Sequence, residues 1–295
     1  MTGVPETVIL PRRSAASVPR LRSIRPFRVF QVLVVAVVLF TTLFPLYWLF
    51  TLSLKTRLEQ LSMPPVWFPS VFTFDSYFNV LFERHLTQYF VNGLIVSVTS
   101  ALLSVAFGSA AAYGLNAGFR GANFVALAIL AIRMVPPIVL AIPLFLIMRT
   151  YGLLDTYQGL IVVYVAFSLP YSTWLMRSFF LEVPSELEDA ARIDGCSRMG
   201  ALLRVIMPLV APGVAATSVF SFLLGWNEFL FALILTRTPA SQTVPVVAAT
   251  FISDQYIEWG NMAATGVVAV VPVVILMTAA QKHFVQGLTL GAVKG

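Results

Sequence analysis

Apolar residues fall in long continuous runs along this chain, at roughly 29–53, 91–115, 124–148, 159–180, 207–235 and 262–280, with polar stretches between them. Each run approaches or exceeds the roughly 20 predominantly apolar residues that a helix needs to cross a bilayer. The runs are continuous rather than alternating with period two, so spanning helices are favoured over a barrel. The pattern therefore predicts an all-α integral membrane protein of six spans in one membrane domain, 29–295, behind a basic tail, 1–28.

A polar island, 182–206, interrupts this pattern between the fourth and fifth runs. Pro184 followed by Ser185-x-x-Glu188 reads as a helix start, with Ser185 capping and Glu188 returning the bond. Gly195 suits a helix end that needs a left-handed residue. Helical spacing places Leu187, Ala190, Ala191 and Asp194 on one face, where small alanines would let a second protein approach closely. The plainer reading of the island is a solvated loop between two spans.

Composition agrees with the hydropathy: 58% hydrophobic and 11% charged residues, with a mean hydropathy of +0.87, leave too little polar surface for a soluble globule. The placement of the cations sets the expected orientation. Arg12, Arg13, Arg20, Arg22, Arg25, Arg28, Arg120, Arg177, Arg192, Arg198, Arg204, Lys282 and Lys294 fall on the side of the N-terminus. Only Lys55, Arg57, Arg84, Arg149 and Arg237 fall on the other, and Arg133 lies inside a run. By the positive-inside rule, both termini and the 182–206 island are expected in the cytoplasm. The pI of about 9.7 thus reports topology, and no nucleic-acid partner is expected.

The tail has a basic stretch before an apolar one, as a signal peptide does. Its apolar run is too long and ends in Tyr47-Trp48-Leu49-Phe50 instead of a small-residue cleavage site, so it is expected to remain as the first span. The lone Cys196 excludes an intramolecular disulfide. His85 and His283 form no metal motif, and no G-x-x-x-x-G-K-[ST] occurs, so no catalytic, metal or nucleotide-binding residue is expected in the chain. Gly114-x-x-x-Gly118 suggests close helix contact and nothing more.

The island closely resembles the cytoplasmic coupling loop of ABC-importer permeases: Asp189-Ala190-Ala191, Gly195, nine residues, then Val205-x-Met207-Pro208. Asp replaces the family's Glu, Val its Ile and Met its Leu, each preserving charge or apolar character. Two further segments resemble the MalG-type sugar permeases within that family. One is Gly225-Trp226-Asn227-Glu228-Phe229, and the other is the ending Gly287-Leu288-Thr289-Leu290-Gly291-Ala292-Val293-Lys294-Gly295.

The resemblance implies a MetI/MalG-like permease fold whose coupling loop is a helix-turn-helix docked on a separate ATPase. Glu188, Asp189, Ala190, Ala191, Asp194, Gly195 and Pro208 would make that contact, and Gly287, Gly291 and Lys294 a second one. It also implies a second permease subunit, two ATPase subunits carrying ATP and Mg, an extracytoplasmic binding protein, and a carbohydrate substrate moved by alternating access. The 236–261 stretch would reach toward the binding protein, by position alone.

Charge inside the spans carries an independent expectation. Glu228 and Arg133 are costly in lipid and should face the bundle or a wet cavity, and Trp226 and Asn227 stand beside Glu228 in the sequence. Met134-Val135-Pro136-Pro137 and Pro143 sit beside Arg133, where prolines require protein or water to satisfy the freed backbone. These residues either line a translocation path or form a buried structural pair. Trp226, Tyr164 and Trp174 are candidate stacking surfaces for a sugar ring. A secondary transporter or channel is the rival reading, but it leaves the coupling loop unexplained.

Overall fold

The structure, a computed structural model, describes the backbone of residues 26–292 and the side chains of 27–281. Of the sequence-derived features, most of the basic tail and Lys294 lie outside the described residues, as do the side chains around Gly287 and Gly291. The chain divides into two compact units, residues 1–46 and 47–295. In the first, the described residues belong to helix α1 (Pro26–Ser53), where the Phe40 and Phe44 rings lie 5.8 Å apart.

The second unit is a helical bundle. Its elements are α2 (Leu86–Asn116), α3 (Ala122–Ala131), α4 (Pro137–Thr150), α5 (Tyr157–Leu181), α6 (Ser185–Ile193), α7 (Ala211–Trp226), α8 (Leu230–Leu235), α9 (Val244–Thr250) and α10 (Trp259–Ala292). Among the described residues four helices, α1 included, are long and apolar enough to cross a membrane, or up to six if each of two bent pairs is one span. The predicted spans 29–53, 91–115, 159–180 and 262–280 are each single helices. The other two differ.

The predicted span 124–148 is broken, because α3 runs through a short 3-10 turn at Ile132–Met134 and then bends by 92° into α4. Pro136 and Pro137 cause this: each displaces the residue before it from helical geometry, so Val135 and Pro136 are extended, and Pro137 restarts the helix at its first turn. The predicted span 207–235 is also divided. Met207–Leu209 belongs to an arm that meets α7 at 85°, and residues 227–229 separate α7 from α8.

The unbroken helices α2 and α5, together with α7, pack through small residues. A Cβ on Gly108 would lie 2.7 Å from Ser172 Cβ and 2.9 Å from the Thr173 amide nitrogen. Ser104 and Ser168 share a buried hydroxyl contact, and Ser172 and Ser221 share another at 2.9 Å. In lipid, close approach and such hydrogen bonds replace the hydrophobic drive between helices. Gly114 takes no such part, since nothing lies within 4 Å of a Cβ placed there, and Gly118 serves a turn at φ +74°.

At the end of the bundle away from the 182–206 island, loops are tied by polar side chains. The buried Asn92 donates to the Pro239 and Gln242 carbonyls at 2.9 and 2.8 Å, and accepts from Gln88 and the Tyr157 hydroxyl. Asp155 accepts from the Arg237 and Thr238 amides at 2.8 and 3.0 Å, from the Thr238 hydroxyl at 2.7 Å, and from Ser241. Burial opposes ionisation of Asp155, but these bonds outweigh it and hold the carboxyl well below the usual range. Arg84 and Glu258 close a salt bridge at 2.9 Å beside a cavity of about 600 Å³ that Lys55, Arg57 and Asn79 also line.

Candidate functional site

Two places gather the residues that the sequence singles out. The first is the arm, α6 through Leu209. Helix α6 begins after Pro184, and Glu186 and Glu188 lie in its first turn, where the helix dipole favours anions. The expected cap is not made: no side chain caps α6 at its start, and Ser185 is already its first residue. Glu188 instead accepts the Tyr113 hydroxyl of α2 at 2.6 Å, and the same hydroxyl lies 3.3 Å from the Arg198 carbonyl. A charge-assisted bond to a second helix displaces the local one.

The far end of α6 follows expectation. Gly195 is left-handed at φ +90°, its amide donates to the Arg192 carbonyl at 3.1 Å, and the Cys196 amide donates to Ala191 at 3.0 Å. This pair of bonds is a Schellman ending, which satisfies carbonyls that the helix leaves open. Ser197 then accepts from the Gly200 amide at 3.1 Å and starts Arg198–Ala201, followed by one wide turn, Leu202–Ile206, and Pro208. The arm rests on a core of Ala112, Met176, Phe180, Leu202, Ile206 and Val210.

The expected single face of α6 is split. Ala191 is buried, whereas Leu187, Asp189, Ala190, Ile193 and Asp194 are exposed. The small Ala191 lets the helix lie close to the bundle. Outward, Ile193 is 85% exposed, and Met199 and Leu203 add further exposed apolar surface. Exposed apolar groups beside acidic ones, on a short ordered element, suit a protein partner. The sequence reading missed Ile193, Met199, Leu203 and the Tyr113 anchor. Tyr113 lies within an apolar run, where its only signal is a lone hydroxyl near the helix end.

The second place is a cavity of about 520 Å³ at the level of both helix breaks, lined by Arg133, Tyr164, Ser168, Asn227, Glu228 and Phe231 among others. Glu228 accepts the Phe231 and Ala232 amides at 2.9 and 3.0 Å, satisfying the open start of α8. Arg133 donates to the Phe167 carbonyl at 2.8 Å and lies 5.0 Å from the centre of the Tyr171 ring. That carbonyl is next to Ala166, whose helical bond Pro170 removes.

Arg133 and Glu228 share this cavity without an ion pair: among the described residues the one salt bridge is that of Arg84 and Glu258. Trp226 stands apart from the lining. It is buried, its ring stacks on Phe222 at 5.6 Å, and its indole donates to the Ala269 carbonyl at 3.1 Å, so it packs the core between α2 and α10. Tyr164 lines the cavity with its hydroxyl buried, while Trp174 is exposed on α5. Among the described residues no cluster of His, Cys, Asp and Glu could hold a metal ion.

Comparison with known proteins bears on both places. The family described as binding-protein-dependent transport system inner membrane component matches residues 104–290, a range that includes the whole arm and both helix breaks. The sulfoquinovosyl glycerol transport system permease protein SmoH of Agrobacterium fabrum is 38% identical over 256 residues, covering 86% of this chain and 89% of that protein. The trehalose transport system permease protein SugB of Mycobacterium tuberculosis is 37% identical over 256 residues, covering 86% and 93%. Among solved structures, a chain of a bacterial ABC transporter involved in import of the acidic polysaccharide alginate superposes with a TM-score of 0.74 at 25% identity, over 89% of this chain and 98% of that one. A chain of the MetNI methionine ABC transporter shares the fold, with a TM-score of 0.52 at 18% identity over 67% of this chain and 95% of that one.

Proposed function

The chain belongs to the family of binding-protein-dependent transport system inner membrane components, and from that premise we propose that it is a permease subunit of an ATP-driven importer of a disaccharide or short oligosaccharide. It pairs with a second permease and two ATPase subunits, and an extracytoplasmic binding protein delivers the sugar. ATP and Mg bind the ATPase subunits, where hydrolysis takes place. Both termini and the arm face the cytoplasm, and the loops tied by Asp155 and Asn92 face outward. The sugar relatives support the substrate class, since SugB is named for trehalose and SmoH for a sugar glycerol conjugate.

The observation that carries this reading is the built arm. A solvated connection needs neither a Schellman ending nor a hydrogen bond from a membrane helix, and it has no reason to display Ile193, Met199 and Leu203. Docked on an ATPase, those side chains are buried, and Tyr113 and the core beneath the arm link the docking surface to α2 and α5. Movement of the partner then changes the cavity between the broken spans, so that access alternates between the two membrane faces.

Cross-linking tests the reading. Ile193→Cys, placed in a chain whose Cys196 is replaced by Ser, is expected to cross-link to a co-purifying ATPase in native membranes, and Tyr256→Cys at the opposite end is expected not to. Failure of Ile193→Cys to reach any ATPase subunit, with the transporter assembled and active, would overturn the assignment.

A further inference from the structure

At the arm end of the bundle, α2 stops at Asn116, α3 starts at Ala122, and α5 passes with Arg177 between them. The three helices enclose a cavity of about 300 Å³ whose wall includes Asn116, Phe119, Asn123, Arg177 and Leu181. Arg177 is held there from two sides: Nε donates to Asn116 Oδ1 at 3.4 Å, and Nη2 donates to Asn123 Oδ1 at 2.7 Å. Both acceptors are neutral amides. Among the described residues no carboxylate lies within 4.0 Å of the guanidinium, and Nη1 has no acceptor.

A partly buried guanidinium without a counter-charge is unfavourable beside a bilayer, and one whose plane is fixed while N–H groups remain free suits a phosphate. The surroundings narrow the source of that phosphate. Phe119 and Leu181 line the cavity and are exposed, so the cation sits beside apolar side chains at the ends of two spanning helices. A free ion in water gains nothing from such walls, whereas an amphiphile fills them with its acyl chains.

We propose that this cavity binds the headgroup phosphate of an anionic phospholipid, held by Arg177 as positioned by Asn116 and Asn123. Basic pockets between membrane helices recognise lipids through this combination of charge and apolar groove. The site is separate from both the arm and the cavity of Arg133 and Glu228. Its role is to fix α3, the first half of a broken span, against α2 and α5 at the membrane surface.

The test is native mass spectrometry of the purified full chain in detergent, with phosphatidylglycerol, phosphatidylcholine or inorganic phosphate added separately. The native chain is expected to retain phosphatidylglycerol over phosphatidylcholine by about fivefold, the factor that one interfacial cation supplies. Arg177→Gln should lose that preference. Asn123→Asp should lose it too with Arg177 still in place, because the new carboxylate supplies the missing counter-charge, and it decides the matter if Arg177→Gln fails to fold. An undiminished preference in Asn123→Asp would overturn the proposal. Occupancy by inorganic phosphate equal to that by phosphatidylglycerol would overturn the lipid assignment in favour of a free-anion site.

Discussion

Helices α2, α5 and α7 and the broken spans beside them occupy the same membrane domain but solve the backbone problem in opposite ways. In the first region glycines and serines bring the bodies of the helices close, with hydroxyls paired across at Ser104–Ser168 and Ser172–Ser221. In the second, prolines and a loop open the helices around a cavity, where Glu228 satisfies the open start of α8 and Arg133 reaches the Phe167 carbonyl of α5. The contrast separates a closely packed frame from segments whose helical ladder is interrupted. The arm is fastened to the frame, through Tyr113 on α2 and through Phe180 and Met176 on α5.

The largest effect should come from forcing the frame apart. Gly108→Val would drive a branched side chain into Ser172 and the backbone of Thr173, where even a Cβ is too close. Overpacking of this kind costs about 3 kcal/mol, so little folded chain should be recovered and its thermal midpoint in detergent should fall. A normal midpoint would remove the frame from the account.

Gly195→Val acts on the arm alone. Nothing lies within 4 Å of a Cβ at this position, so packing is untouched, but φ +90° is strained for a branched residue by about 1–2 kcal/mol. The bundle should melt as the native chain does, while coupled sugar uptake falls. Equal loss of both would erase the distinction between arm and frame.

Arg133 and Glu228 test the broken region. Each bonds backbone groups rather than the other, so a double-mutant cycle with Arg133→Gln and Glu228→Gln should give a coupling below about 0.5 kcal/mol. A coupling of about 1 kcal/mol or more would mean that the two pair directly.

The smallest effect is expected from acid. Asp155 is depressed in the folded chain, so its contribution is fully present above the ordinary carboxylate pKa of about 4 and is lost only as pH falls through its lower folded value. Between pH 7 and pH 5 the tie to Arg237 and Thr238 should hold. Amide exchange at those residues, corrected for its intrinsic pH dependence, should be unchanged over that interval. Increased opening at pH 5 would contradict the depressed value.

The division between frame and broken spans also marks what the sequence could show. Hydropathy located the membrane-crossing segments, since apolar runs are unaffected by the angle at which a helix continues. It could not show that α3 and α4 meet at 92°. Pro136 and Pro137 signalled a backbone disturbance without its size. At the arm, the left-handed Gly195 was legible because one residue determines it, but the role of Glu188 was not, since the competing Tyr113 lies 75 positions away. Trp226 shows the same limit, since adjacency to Asn227 and Glu228 says nothing of a helix end turning the indole toward Ala269. Tertiary partners decided each of these cases.

Transport itself is the most direct measurement of the central claim. The chain should be reconstituted in liposomes with its partner permease, both ATPase subunits and the binding protein, and uptake of labelled disaccharide followed with each component omitted in turn. Accumulation is predicted only with ATP and the complete set, and none with the chain alone under an imposed ion gradient. Gradient-driven uptake by the chain alone would contradict the account and make it a secondary transporter.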